Sequence, residues 1–186
     1  MRRVIAVTVL LGFTLAATPY SYSAFKAELT RQTQNKGPAA VLSLARMQQL
    51  LPTGCGGQRA RVLEATARNA GRAAPPLVVL GYGPMRVTLV DYGGLRGADR
   101  LRLFDIGPRL YDTRVNPKWK TPTLAYRPNP RAVGFGYRAA DNNAEIRLAV
   151  GGRFDLRLEQ FNATSMKALE GCLGRVNMGE LLRVSR

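Results

Sequence analysis

Residues 144–160 read AEIRLAVGGRFDLRLEQ, and their pairing decides the fold. Ile146, Leu148 and Val150 alternate with polar residues on one side of the glycines. Phe154, Leu156 and Leu158 alternate on the other. Period-two alternation is the pattern of a half-buried strand. A two-residue Gly151-Gly152 turn would oppose Val150 with Arg153 and Leu148 with Asp155, setting apolar against polar. A three-residue Gly151-Gly152-Arg153 loop opposes Val150 with Phe154, Leu148 with Leu156, and Ile146 with Leu158. A one-residue slip flips every side chain to the other face, so the three-residue loop with a glycine bulge is the expected connection. On the outer face this register sets Arg147 against Arg157 and Glu145 against Glu159. The diagonals Arg147–Glu159 and Glu145–Arg157 can offset those like-charge pairs.

Further strands extend upstream from this hairpin. Ala132–Arg138 (AVGFGYR) places Val133, Phe135 and Tyr137 on one face. Met85, Val87 and Leu89 alternate with Arg86, Thr88 and Val90, and Leu77–Leu80 is a short apolar run. Leu101 and Leu103 between arginines suggest one more strand. Downstream, Asn162 is placed to cap a helix over 163–173, ended by Gly174. The sequon Asn162-Ala163-Thr164 is explained by that cap better than by glycosylation.

Nearer the N-terminus, Pro38–Leu51 (PAAVLSLARMQQLL) and Gln58–Ala70 (QRARVLEATARNA) have helical composition. Pro52-Thr-Gly54 and Cys55-Gly-Gly57 between them predict a helical hairpin. Residues 24–37 are polar and read as a linker or as an extension of the preceding segment. The fold class expected is α+β: a helical hairpin, an antiparallel sheet of five to six strands and a short C-terminal helix, in one domain over 38–186.

Residues 1–23 carry a targeting signal. Arg2 and Arg3 precede a 14-residue apolar run, Val4–Ala17, and Pro19 breaks it. Ser21 and Ser23 are small residues spaced for cleavage before Ala24, so a signal peptide is the first reading. The rival is an uncleaved membrane anchor, since 22 residues from Val4 to Phe25 carry no charge, enough to span ~30 Å of hydrocarbon. Tyr20, Tyr22 and Phe25 would then be interfacial aromatics. Both readings put the domain in a periplasmic, extracytoplasmic or membrane-anchored setting, or at an organellar inner membrane. There Cys55 and Cys172 are candidates for a disulfide closing 117 positions. Such a loop is worth roughly 4–5 kcal/mol in the chain-entropy account.

Composition narrows the chemistry. The 186 residues hold 28 Lys+Arg, 12 Asp+Glu and no histidine, for a net charge of +16. Without histidine, Ser-His, Cys-His and His-ligated metal mechanisms are excluded. Two cysteines are too few for a four-Cys zinc site. Gly81-Tyr-Gly83 and Gly134-Phe-Gly136 are incomplete glycine-rich motifs and read as strand features. No cofactor or metal is expected. Carboxylates remain as acid/base groups, but Asp91, Asp99, Asp105 and Asp112 are better read as ion-pair partners of the surplus arginines.

The surplus is uneven. Residues 108–131 form a basic stretch with Pro108, Pro117, Pro122, Pro128 and Pro130, read as an extended loop or arm. From Thr113 to Ala140 there are six cations and no acid. Arg109, Arg114, Lys118, Trp119, Lys120, Tyr126, Arg127 and Arg131 are the candidate contacts for an anionic partner, through ion pairing, stacking or cation–π contact. Arg59, Arg61, Arg68 and Arg72 add to the positive field. The competing account is compositional, because 23 of the cations are Arg and five are Lys.

The partners expected are anionic lipid or polymer, or acidic surfaces of other subunits, with membrane contact through residues 4–25 if these are retained. Nucleic acid is disfavoured by the compartment. The leading expectation is a non-enzymatic binding or structural protein. Its alternatives are an accessory subunit of a membrane complex and a small carboxylate-dependent hydrolase. The ending over residues 154–173, FDLRL followed by FNATSMKALEGCL, is similar to the close of small exported β-rich bacterial proteins, and assigns no family.

Overall fold

A computed structural model describes residues 22–67, 74–110, 124–138 and 142–186. In chain order the elements are α1 (Tyr22–Thr33), α2 (Leu44–Leu50), β1 (Gly54–Cys55), β2 (Gln58–Arg59), β3 (Arg61–Thr66), β4 (Leu77–Tyr82), β5 (Met85–Asp91), α3 (Gly97–Leu110), β6 (Leu124–Asn129), β7 (Ala132–Arg138), β8 (Ala144–Val150), β9 (Phe154–Gln160), α4 (Lys167–Leu173) and α5 (Met178–Val184). The protein is α+β. Seven strands form one antiparallel sheet in the order β3-β4-β5-β9-β8-β7-β6, and β1-β2 form a separate ribbon.

The β8–β9 hairpin has the register its sequence demands. Val150 pairs with Phe154, Leu148 with Leu156 and Ile146 with Leu158. Gly151 and Gly152 take φ of 61° and 63°, a backbone region that glycine enters without steric cost. Arg157 meets Glu145 across the diagonal at 3.4 Å, and Arg147 clasps Asp155.

The sheet's two faces are covered unequally. Ile146, Leu148, Leu156, Leu158, Val87, Leu89, Val78 and Leu80 form the main core, beneath α2, α4 and α5. On the opposite face, α1 and α3 pack together over the β7 end, with Phe25, Leu29, Phe104, Val133, Phe135 and Ala149 buried between them. Phe25 and Phe135 pack with ring centroids 4.8 Å apart and planes tilted by 56°. Residues 24–33 are therefore part of the fold, because Phe25 and Leu29, one helical turn apart, give α1 an apolar stripe.

Several expected elements differ. The helical hairpin does not form. Cys55-Gly56-Gly57-Gln58 turns the chain tightly, with φ of 55° and 77° at the glycines, and returns it as β2 and β3. Gln58–Arg59 and Arg61–Thr66 are strands despite their Ala, Leu, Glu and Arg content. The ladder to β4 outweighs a helix preference of only a few tenths of a kcal/mol per residue. The first expected helix contracts to Leu44–Leu50, with Ser43 accepting the Arg46 N–H as its N-cap.

Leu101 and Leu103 lie in α3 rather than in a strand. Residues 124–129, expected within a loop, are edge strand β6. Its ladder shifts register between Tyr126 and Asn129, where Pro128 has no N–H to give. Asn162 is not a cap: its φ is 53°, and α4 starts at Lys167 after Met166. Helix α5 was not expected. Its N-cap, Asn177, accepts from the Glu180 N–H at 3.1 Å, the Asn-x-x-Glu signature of a helix start.

Candidate functional site

The arginines fall into two groups, those used up inside the protein and those presented outward. The largest internal set is a buried polar hub at the end of β5. Asp91 and Arg153 form a two-pronged pair, Nε to Oδ1 and Nη2 to Oδ2, both at 2.8 Å. The guanidinium also donates to Val184 O at 2.8 Å and Ala40 O at 2.7 Å. Asp91 accepts the N–H of Gly93 at 2.7 Å and of Leu42 at 2.8 Å. Beside it Arg100 donates to the carbonyls of Leu95, Gly37 and Gly93 at 2.8–2.9 Å. Burial and the neighbouring Arg153 pull the Arg100 pKa down. Three buried charges thus fasten the α1–α2 connection, β5, α3, the β8–β9 turn and the C-terminal helix, and each Asp91 carboxylate oxygen accepts two hydrogen bonds.

A second polar layer lies on the sheet face beside α1 and α3. Tyr137 donates to Glu145 at 2.8 Å and Tyr92 to Asp155 at 3.3 Å. Burial and the Asp155 carboxylate push the Tyr92 phenol up. Glu159 stands directly opposite Glu145. Burial first, and Glu145 second, raise its pKa, against the pull of Arg157 and Arg86.

The sequence-derived contacts for an anionic partner disperse. Arg114, Lys118, Trp119 and Lys120 lie outside the described residues. Arg109 is in the last turn of α3, and its side chain is likewise outside the description. Tyr126 donates to Glu170 at 2.6 Å, tying β6 to α4, and burial with that acceptor raises its pKa. Arg131 donates to Ser185 Oγ at 3.1 Å and Leu182 O at 3.5 Å, at the C-terminus of α5, where a cation complements the helix dipole. Arg127 is exposed, near enough to Glu28 to help lower that carboxyl. Of the three described residues, two serve internal ties.

A concave site lies elsewhere. Cys55 and Cys172 are bonded, with Cα atoms 5.2 Å apart, linking the β1–β2 ribbon to α4. Beside this bridge opens a groove of about 660 Å³, lined by Pro52, Thr53, Gly54, Gly57, Gln58, Arg59 and Arg175. Its lining includes two arginines and no carboxylate. Both arginines are exposed, and Arg175 Nη1 reaches Gly54 O at 3.3 Å. The wall at Pro52 is anchored from below, because buried Tyr82 donates to its carbonyl at 2.5 Å. Burial pushes the Tyr82 phenol up to about 12. Such a groove suits an anionic group: two arginines line it, and the one carbonyl contact of Arg175 leaves most of its donors open.

The sequence places Arg59 on an expected helix as one of four arginines adding to the positive field, and singles out nothing at Arg175. The available signal was indirect. A Cys55–Cys172 bridge necessarily brings the neighbours of both cysteines together, so Arg59 and Arg175 belong to one neighbourhood once the bridge is accepted. Among the described residues no cluster of three metal-ligating side chains occurs. The disulfide fits an oxidising compartment outside the cytosol. Among the described residues no helix is long and apolar enough to cross a membrane.

No protein-family model, curated protein or solved structure matches the chain. The functional reading therefore rests on residues and geometry.

Proposed function

We propose that this chain is an exported, non-catalytic binding protein whose domain holds anionic groups of envelope lipid, polymer or an acidic partner surface. The observation that carries this reading is the groove at Arg59 and Arg175. It has two exposed guanidiniums, no acid in its lining, and a covalent bridge holding its walls. Five of the described acids are held by arginines: Asp91 by Arg153, Asp155 by Arg147, Glu145 by Arg157, Glu28 by Arg31, and Glu180 by Arg46 and Arg183. Exposed cations beyond these pairs, Arg59 and Arg175 among them, draw anions over about a Debye length. Residues 1–23 deliver the domain across a membrane as a signal peptide. In the subunit form of the same reading they stay as an anchor.

Co-sedimentation with vesicles of phosphatidylglycerol, against vesicles of phosphatidylcholine, tests the reading. Selective pelleting with the anionic vesicles that weakens as salt rises supports it. Equal pelleting with both, or binding indifferent to salt, refutes it.

A carboxylate-dependent hydrolase is the second reading, and one observation favours it. Glu145 and Glu159 oppose each other and the Glu159 pKa is raised, the arrangement that separates an acid from a base. Hydrolysis of a polysaccharide that Glu159→Gln abolishes without unfolding the protein would establish it. Activity unchanged in that variant would remove it.

A further inference from the structure

Strand β3 is an edge of the seven-stranded sheet, and all six of its residues are exposed. Val62 and Leu63 are 51% and 49% exposed, the largest values among the buried-type side chains described. The opposite edge, β6, is guarded by Pro128 and a register shift. Strand β3 shares such a register shift, between Val62 and Glu64, but has neither a proline nor a lysine to stop its edge from pairing. The β1–β2 ladder ends just before it, where the Ala60 N–H donates to Thr53 O at 3.0 Å.

The sequence of this edge is self-complementary. Arg61 pairs with Gly81 and Glu64 with Val79, alternate residues of β4, so the irregularity at Leu63 sets Arg61 and Glu64 on one face. Val62 and Ala65 pair with Leu80 and Val78 and share the other face. Place a second copy antiparallel, about a two-fold axis between Leu63 and Glu64. Arg61 then opposes Thr66, Val62 opposes Ala65, and Leu63 opposes Glu64. Arg61 and Thr66 match in face, and so do Val62 and Ala65. Arg61 of each copy is the diagonal neighbour of Glu64 of the other, a separation that long side chains bridge. Glu64 accepts from Thr66 Oγ1 at 3.2 Å, which holds its carboxylate on that face. Residues 61–66 carry one cation and one anion, so this edge is neutral in a chain of net charge +16. Two such chains repel elsewhere and can meet here.

We infer that β3 is a homotypic docking edge: two copies of this chain join edge to edge through residues 61–66, with reciprocal Arg61–Glu64 pairs and Val62 covered. The interface is isologous, as two-fold pairing of one surface requires. It uses a different surface from the Arg59–Arg175 groove, and stands or falls separately from the binding role proposed for that groove.

Sedimentation velocity over a concentration series up to about 1 mM tests the inference on the protein purified from an exporting host. The wild-type chain is expected to pass from monomer to dimer. Arg61→Glu and Glu64→Arg should each weaken dimerisation at least about tenfold, because each sets like charges on the diagonal. The double variant R61E/E64R should restore it. Val62→Lys should abolish it through the edge itself. All three positions are exposed, and unchanged thermal unfolding under monomeric conditions verifies that each variant folds. A wild-type chain that stays monomeric throughout overturns the inference. So does a double variant as monomeric as the single ones. Arg59→Gln with Arg175→Gln should leave dimerisation unchanged, and its loss in that variant would move the interface to the groove.

Discussion

Two regions of this protein are built from arginine and backbone carbonyls, and they do opposite things. At the hub, Arg153 meets a carboxylate and two carbonyls, Arg100 meets three carbonyls, and both are buried. At the groove, Arg59 and Arg175 meet no acid in the lining and remain exposed. A buried arginine held by a carboxylate or by several carbonyls is a strut. One whose donors face water can grip a partner. The difference lies in which acids and carbonyls the fold delivers to each, and composition does not reveal it.

Breaking the hub should produce the largest effect on stability. Asp91→Ala leaves the Arg153 charge buried without its counter-ion and strips acceptors from the Gly93 and Leu42 N–H groups. Urea denaturation should record a loss of about 3–5 kcal/mol, while the groove arginines keep their solvent exposure. A loss below about 1 kcal/mol would mean the hub relaxes or admits water.

The groove depends on its covalent wall. Reducing the bridge, or Cys172→Ser, should cost about 2–5 kcal/mol. Under conditions where the reduced chain stays folded, vesicle binding should fall too, because the ribbon carrying Arg59 is no longer tied to α4. Binding that survives reduction in the folded chain would separate the groove from the disulfide. Tyr82→Phe is a gentler change. It removes the hydrogen bond to Pro52 O and should cost about 1 kcal/mol, measured by thermal unfolding.

The smallest expected effect lies in the polar layer, neither strut nor grip. Glu159 has a folded-state pKa above its ordinary value of 4.5, so the folded form binds this proton more tightly than the unfolded form does. Ionised Glu159 therefore costs stability at pH values above its folded pKa, and that cost disappears as pH falls below the unfolded value. Glu159→Gln should melt slightly higher than the wild type at neutral pH, with the gap closing in acid. A variant less stable at neutral pH would show that the pull of Arg157 and Arg86 outweighs desolvation.

Local patterning made five of the seven strands readable, β4 as a short apolar run and the others by alternation. Strands β5, β7, β8 and β9 alternate in sequence, although helices on both sides bury most of β7, β8 and β9, and the paired glycines leave one register that joins Val150 to Phe154. The region from 24 to 66 was less readable because its local preferences oppose its tertiary setting. Residues 58–66 are rich in helix formers, yet the Gly56-Gly57 turn and the β4 ladder make them strands. Polar residues mask the Phe25–Leu29 stripe of α1. Leu101 and Leu103 alternate with arginines by coincidence, since Leu101, Leu103 and Phe104 all pack on the α1 cluster from one helix. The groove was hidden for a different reason. Arg59 and Arg175 are 116 positions apart in sequence (175 − 59), and only the disulfide and the ribbon turn bring them to one site.

The central claim is that the groove, rather than net charge alone, grips anions. A binding titration with a sulfated polyanion of fixed length tests it most directly, comparing the wild type, R59Q/R175Q, and a control that removes the same two charges elsewhere. Arg96→Gln with Arg102→Gln provides that control. The account predicts at least about tenfold weaker binding for R59Q/R175Q, with stability within about 0.5 kcal/mol of wild type, and a clearly smaller loss for the control. Equal losses in the two variants would contradict it, because binding would then follow total charge and the groove would be only a feature of shape.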